Sequence, residues 1–165
     1  MAAVNSIEKL LVEELKDLHS AETQITKALP KLAEAASSAE LRGAFEHHLK
    51  ETEGQLQRLD KVFKLLGETP KEKTCNGMKG ILAEGSEMLH ETEPGDIRDA
   101  ALISAAQRVE HYEMAAYGAV RDYAEKLKQP EVAKLLQETM DEEKAADKKL
   151  TEISHKLKHH GSRAA

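Results

Sequence analysis

Cysteine, tryptophan, proline and glycine are scarce in this chain of 165 residues, which has one cysteine, no tryptophan, four prolines and nine glycines. The single cysteine, Cys75, excludes an internal disulfide framework and any cysteine-based metal cluster within one chain. Aromatic residues make up only 3% of the sequence, whereas charged residues make up 33%. This composition favours long solvated helices over β-sheet, in a chain of the length of one domain.

Positive charge is also in short supply, because the formal net charge at pH 7 is −6. No basic face with interleaved aromatic residues appears, so we expect neither a nucleic-acid partner nor an anionic membrane partner. The apolar runs are too short to span a bilayer, and the first residues lack the basic start and apolar block of a signal peptide. A cytoplasmic location is therefore expected.

Apolar residues recur every three or four positions in four long segments, the period of a helix face that packs against partners. The segments predict helices from about residue 5 or 6 to 36, from 38 to 66, from 97 to 127 and from 131 to 157. Ser37 to Glu40 reads as a capping box for the second helix, and Gly67 as its stop. Asp96 is the expected cap of the third, and Pro130 lies at the start of the fourth.

Residues 67–96 form a connection far longer than a tight turn needs. Met78, Ile81, Leu82, Met88 and Leu89 predict a short amphipathic helix within it. A connection of this length carries the chain along the bundle and makes the second and third long helices parallel. The predicted fold is all-α: a single four-helix-bundle domain over residues 1–158 with a helix-bearing crossover, followed by a flexible tail over residues 159–165.

Acidic residues lie on the inward stripes of all four long helices. Glu22 and Glu113 are central in theirs, where a carboxylate is costly unless a cation, a proton or hydrogen-bond donors balance it. The candidate metal ligands are Glu22, His48, Glu51, Glu110, Glu113, Glu143 and Asp147. Oxygen ligands with one imidazole suit iron(II) or manganese(II), and such a set can hold two ions. We expect two divalent ions, with iron ahead of manganese, and reaction with peroxide or oxygen.

Alternative roles remain open for several of these residues. Glu110 and Asp147 fit either direct contact with a metal or orientation of another ligand, and Gln55 fits a hydrogen-bonding role beside the site. His48 is as consistent with a satisfied core histidine as with a ligand. Tyr117 fits a relay of electrons or protons near the site, but packing is its expected role. For the group as a whole, the alternative is that slightly different helix rotations leave the acids solvated at the stripe edges.

Four phrases carry a resemblance that covers nearly the whole chain: residues 48–55 (HLKETEGQ), 98–103 (RDAALI), 106–113 (AQRVEHYE) and 136–144 (LQETMDEEK). The chain resembles the YciE/YciF-type branch of the ferritin-like superfamily, which is related to rubrerythrin. The resemblance implies a four-helix bundle with a potential di-metal centre and an association with bacterial stress responses. It also implies that Glu22, Glu110, Glu113 and Glu143 are ligands.

The chain departs from the ferritin-like pattern in one respect. Those sites carry Glu-x-x-His on the second and fourth helices, whereas here Gly54 follows Glu51 by three and Ala146 follows Glu143 by three. A helical scaffold or binding protein with a structural or vestigial metal site is therefore a second hypothesis, and iron storage in a ferritin-type shell is a third. The apolar faces of the crossover helix and of the first helix predict a homodimer.

Overall fold

The computed structural model describes residues 4–71 and 73–158, and every regular element within them is helical. The helices are α1 (Ile7–Ala35), α2 (Ala39–Leu65), α3 (Asn76–Glu91), α4 (Asp96–Lys126) and α5 (Pro130–Ser154). The predicted fold class is confirmed: four long helices form the bundle and α3 is the extra helix of the crossover. The tail predicted for residues 159–165 lies outside the described residues.

Two helix starts differ from the sequence prediction. Ser38, not Ser37, caps α2, since its side chain accepts the Leu41 N–H. The Ser37 N–H instead donates to Asp99 at 2.8 Å, so the capping box predicted from Ser37 to Glu40 is wrong. Asp96 is the first residue of α4 and Gly95 occupies the cap position without a side-chain cap. Gly67 ends α2 as predicted, at a φ of 69° that glycine adopts without strain.

Two apolar clusters show how the helices run. One gathers Ile25, Leu41, Leu102 and Leu150, from the second half of α1, the first halves of α2 and α4, and the second half of α5. The other gathers the opposite halves of the same four helices, including Leu15, Leu59, Val120 and Leu136. The first residues of α2 and α4 therefore lie at the same end of the bundle, which confirms that these helices are parallel.

The crossover helix packs on the bundle through the side chain that begins it. Cys75 is fully buried and its sulfur accepts the Met78 N–H, so the thiol acts as the N-cap of α3. The same sulfur lies 3.0 Å from the Tyr112 hydroxyl, which donates to Asp17 of α1 at 2.9 Å. These contacts attach α3 to α1 and α4. None of the helices in the described part of the chain is both long and apolar enough to cross a membrane.

Candidate metal centre

A band of buried polar side chains separates the two apolar clusters. The band forms because the 3.6-residue period that aims leucines inward at the helix ends aims polar residues inward at mid-length. Each of the four long helices contributes to it. Its members are Glu22 of α1, His48, Thr52 and Gln55 of α2, Glu110 and Glu113 of α4, and Thr139 and Glu143 of α5.

Four of these residues converge on one point. One side-chain oxygen or nitrogen from each of His48, Glu110, Glu113 and Glu143 lies within 4.8 Å of the other three. The His48 Nε2 atom is 3.3 Å from a Glu110 oxygen and 3.5 Å from a Glu143 oxygen. Glu22 is fully buried beside this group and accepts a hydrogen bond from the Tyr117 hydroxyl.

Seven buried atoms of this band have no hydrogen-bond partner in the described part of the chain: one oxygen each of Glu22, Glu110 and Glu143, both oxygens of Glu113, His48 Nε2 and Gln55 Oε1. A buried polar atom without a partner costs about 1–3 kcal/mol. Native proteins hold few such atoms. Four of the residues concerned, His48, Glu110, Glu113 and Glu143, converge to within 4.8 Å, so a cation there would take a donor atom from each, since carboxylate oxygens and an imidazole nitrogen are metal donors.

The electrostatics of the centre also call for positive charge. Burial, and then the charge of Glu143, raise the pKa of Glu22 well above its usual 4.5. Burial, and then the charge of Glu22, raise the pKa of Glu113 in the same way. Glu110 follows, with a pKa raised by burial and by the neighbouring Glu143. The centre therefore takes up protons unless cations replace them.

His48 is the one imidazole in the cluster. Burial alone would lower its pKa, but the hydrogen bond to Glu51 and the charge of Glu143 outweigh burial and raise it above 6.5. Its Nδ1 lies 3.3 Å from a Glu51 oxygen while Nε2 faces the cluster. A carboxylate on one ring nitrogen orients the other toward a metal. The geometry therefore fits a ligand better than a satisfied core histidine.

Glu51 and Asp147 lie at the edge of the centre. The Glu51 side chain is 26% exposed and contacts His47 and His48. The Asp147 side chain is 23% exposed, accepts a hydrogen bond from Gln107 and lies 3.3 Å from His111. The structure thus brings five of the seven predicted ligands into the buried centre. Glu51 lies outside the buried centre, where it orients His48. Asp147 also lies outside it and contacts Gln107 and His111.

Arg58 and Glu142 support the centre and were not predicted to do so, and Tyr117, for which packing was expected, also donates a hydrogen bond to one of its carboxylates. Arg58 of α2 donates to both carboxylate oxygens of Glu142 on α5, at 2.8 and 3.0 Å, and to Thr139 at 2.7 Å. Gln55 donates to Glu142 at 3.0 Å and to Glu143. These contacts with α2 fix the position of the Glu143 side chain. The position of Tyr117 near the centre could have been predicted from the sequence, because it follows Glu113 by one helical turn and so lies on the same helix face.

Comparison with known proteins assigns the family. The model of a family described as a domain of unknown function, DUF892, matches residues 6–161. The chain belongs to the DUF892 family. The chain is similar to the protein YciF of Escherichia coli K12. The two sequences are 46% identical over 152 residues, which cover 92% of each chain.

Solved structures agree with this assignment. The crystal structure of the E. coli stress protein YciF matches with a TM-score of 0.91 and 45% identity, over 93% of this chain and 98% of that one. The Rhodopseudomonas palustris protein YcfI matches with a TM-score of 0.87 and 41% identity, over 90% and 94%. Ferritin-like diiron-carboxylate proteins of Bacillus anthracis match at 0.71 and 17%, over 92% and 99%. The last likeness shows a shared ferritin-like fold alone.

Proposed function

We propose that this DUF892 chain binds two divalent metal ions in the buried centre, iron in preference to manganese, and reacts there with peroxide or oxygen in a stress response. The observation that carries the proposal is the convergence of one donor atom from each of His48, Glu110, Glu113 and Glu143 within 4.8 Å, with the fully buried Glu22 beside them. The donors are oxygen-rich with one imidazole, a set that suits iron(II) and manganese(II). The description of YciF as a stress protein and the ferritin-like fold agree with it.

Two adjacent iron ions, when bound, supply electrons to an oxidant in pairs. The residues of the chain provide the rest. Neither oxygen of Glu113 has a hydrogen-bond partner in the described part of the chain, so Glu113 would hold metal through them, and Glu22 and Glu143 lie close enough for their charges to act on each other. Tyr117 and Gln55 each donate to one oxygen of Glu22 and Glu143 respectively, and leave the other oxygen free. The apolar clusters lie on both sides of the centre along the bundle and exclude water from those two directions.

A second candidate is a scaffold protein in which a single ion is structural. It is favoured by the edge positions of Glu51 and Asp147, which leave only five residues in the buried centre, fewer than the seven predicted for two ions. It is also favoured by the absence of a Glu-x-x-His sequence at Glu51 and Glu143.

Metal titration separates the two candidates. Protein purified without an affinity tag is loaded with iron(II) under argon, its iron content is measured, and absorbance is followed after addition of hydrogen peroxide. We expect about two ions per chain and the appearance of iron(III) absorbance. Glu143→Gln should lose iron, whereas Asp141→Asn, an exposed acid on the same helix, should keep it. One ion per chain without any oxidation would favour the scaffold with a structural ion. No bound iron would reject the proposed function and leave the scaffold, with another metal or with a vestigial site.

A further inference from the structure

A cleft of about 400 Å³ leads from the surface, between α2 and α5, to the metal centre. Small and apolar side chains form its walls: Gly43, Ala44, Phe45, Ala145, Ala146 and Leu150. Its inner end is formed by His48, Glu51 and Glu110. Three other cavities over the described residues have no member of the converging cluster among their lining residues. The cleft therefore gives a molecule from solvent a route to the centre.

The inner end of the cleft offers polar atoms that nothing in the described chain satisfies. Glu110 and His48 are 2% and 5% exposed, and Glu110 Oε2 and His48 Nε2 have no hydrogen-bond partner. The polar head of an occupant would face these two groups and the ions they hold, and its remaining atoms would lie against the apolar walls. The cleft thus matches a molecule that is polar at one end only.

The charges at the two ends of the cleft have opposite sign. At the mouth, Lys149 and Lys156 share the single carboxylate of Glu40, at 2.7 and 2.8 Å, which leaves one positive charge. At the inner end lie the carboxylates of Glu51 and Glu110. A cationic ligand would be repelled at the mouth and an anionic ligand at the inner end. The expected occupant is therefore uncharged.

The cleft is much larger than hydrogen peroxide requires. A water molecule occupies about 30 Å³, so a two-oxygen peroxide fills only a small part of 400 Å³. Cavities of about 300–1,000 Å³ with mostly apolar walls and a few polar groups are typical of sites for small organic ligands. Binding to such walls is favourable when the ligand has apolar carbon surface to bury against them.

From the cleft and the centre at its inner end, we propose that the substrate is a neutral organic hydroperoxide, with its carbon skeleton in the cleft and its O–O group toward His48 and Glu110. This inference rests on the proposed redox function. Reduction breaks the O–O bond and yields one alcohol and one water. The two electrons come from two iron(II) ions, which become iron(III), and the two protons come from solvent.

The binding step is tested first on metal-free protein, with cumyl alcohol as an unreactive probe of the cleft, by calorimetry and by chemical-shift perturbation. Saturable binding is expected. Ala146→Phe fills the cleft from α5 and Gly43→Leu fills it from α2, where an added Cβ meets no atom within 4 Å. Each should weaken binding about tenfold or more, while Ala115→Phe, at an exposed position of α4, should not. Absent binding, or equal binding by both filled variants, would overturn the proposal.

The redox step is then tested on iron-loaded protein with cumene hydroperoxide and hydrogen peroxide. Oxidation by cumene hydroperoxide should slow about tenfold or more in the two filled variants, with their iron content unchanged. Equal slowing with both oxidants, or none with either, would overturn the substrate assignment. If the chain binds no iron, or its iron resists every oxidant, the proposed function fails and the substrate assignment falls with it. Cumyl alcohol binding by the metal-free chain would in that case show the cleft to be a ligand site without this reaction.

Discussion

The hydroxyl of Tyr117 on α4 donates a hydrogen bond to Glu22 on α1 and so joins two helices at the level of the metal centre. Both side chains are fully buried. Burial, and then the charge of Glu22, raise the pKa of Tyr117 well above its usual value, so the phenol keeps its proton and remains a donor. Of the two oxygens of Glu22, one is thereby occupied and the other is left for a cation.

Tyr117→Phe removes this donor and leaves a buried carboxyl oxygen without a partner. We expect the free energy of unfolding of the metal-free protein to fall by about 1–3 kcal/mol, measured by urea denaturation. Tyr123→Phe is the matched control, since Tyr123 is half-buried on the same helix and makes no hydrogen bond through its hydroxyl within residues 4–71 and 73–158. A loss of equal size in both variants would show that the Tyr117 hydroxyl contributes nothing specific.

The buried acids predict how the stability of the metal-free protein depends on pH. Glu22, Glu110 and Glu113 have folded pKa values above 4.5, and that of His48 lies above 6.5. The folded chain therefore binds more protons than the unfolded chain. The stability that these acids contribute is fully present below about pH 4.5 and is lost as the pH rises through their raised folded pKa values. Denaturation from pH 5 to pH 8 should show this decline.

Glu113→Gln tests the origin of that decline. The amide is nearly the same size but carries no charge, so we expect it to stabilise the metal-free protein at pH 8 by about 1–3 kcal/mol and to flatten the decline. It should also weaken iron binding. Glu125→Gln, an exposed acid on the same helix, should change neither property. A destabilised Glu113→Gln protein at pH 8 would mean that protein donors, not cations or protons, balance Glu113.

The spacing of residues along each helix was sufficient to predict the fold and most of the centre. Glu22, Glu113 and Glu143 lie on apolar stripes that step by threes and fours, so their burial follows from the helical period alone. Asp147 lies nearer the surface than Glu143, with its side chain 23% exposed. It follows Glu143 by four residues, a rotation of about 40°, and this is enough to bring it to the edge beside Gln107.

Contacts between helices could not be predicted in this way, because they depend on how one helix is shifted along another. Ser37 and Ser38 have equal capping chemistry, and Asp99, which accepts both N–H groups, lies 62 and 61 positions further along the chain. The Arg58–Glu142 pair likewise requires the relative positions of α2 and α5. The local sequence pattern of one helix contains no information on either of these contacts between helices.

Arg58→Met tests whether the Arg58–Glu142 pair positions Glu143. Without the guanidinium, Glu142 is free to move and to draw Gln55 away from Glu143. Loss of such a supporting group typically costs about 10–100-fold in metal affinity, which iron titration against a competing chelator would measure. Lys61→Met removes an exposed ion pair between the same two helices, Lys61 with Glu131 at 3.2 Å, and should leave iron affinity unchanged. Equal affinities in the two variants would exclude a positioning role for Arg58.

Asp99→Asn tests the attachment of α4 to the α1–α2 link. The buried Asp99 carboxylate accepts the N–H groups of Ser37 and Ser38 at 2.8 and 2.7 Å, whereas an amide offers one acceptor and must bury an NH₂ group. We expect the free energy of unfolding to fall by about 1–3 kcal/mol, with iron content unchanged because the link lies at the end of the bundle. Asp141→Asn, an exposed change on α5, should cost less than about 0.5 kcal/mol. An Asp99→Asn protein as stable as wild type would show that the two N–H groups find equivalent acceptors without the carboxylate.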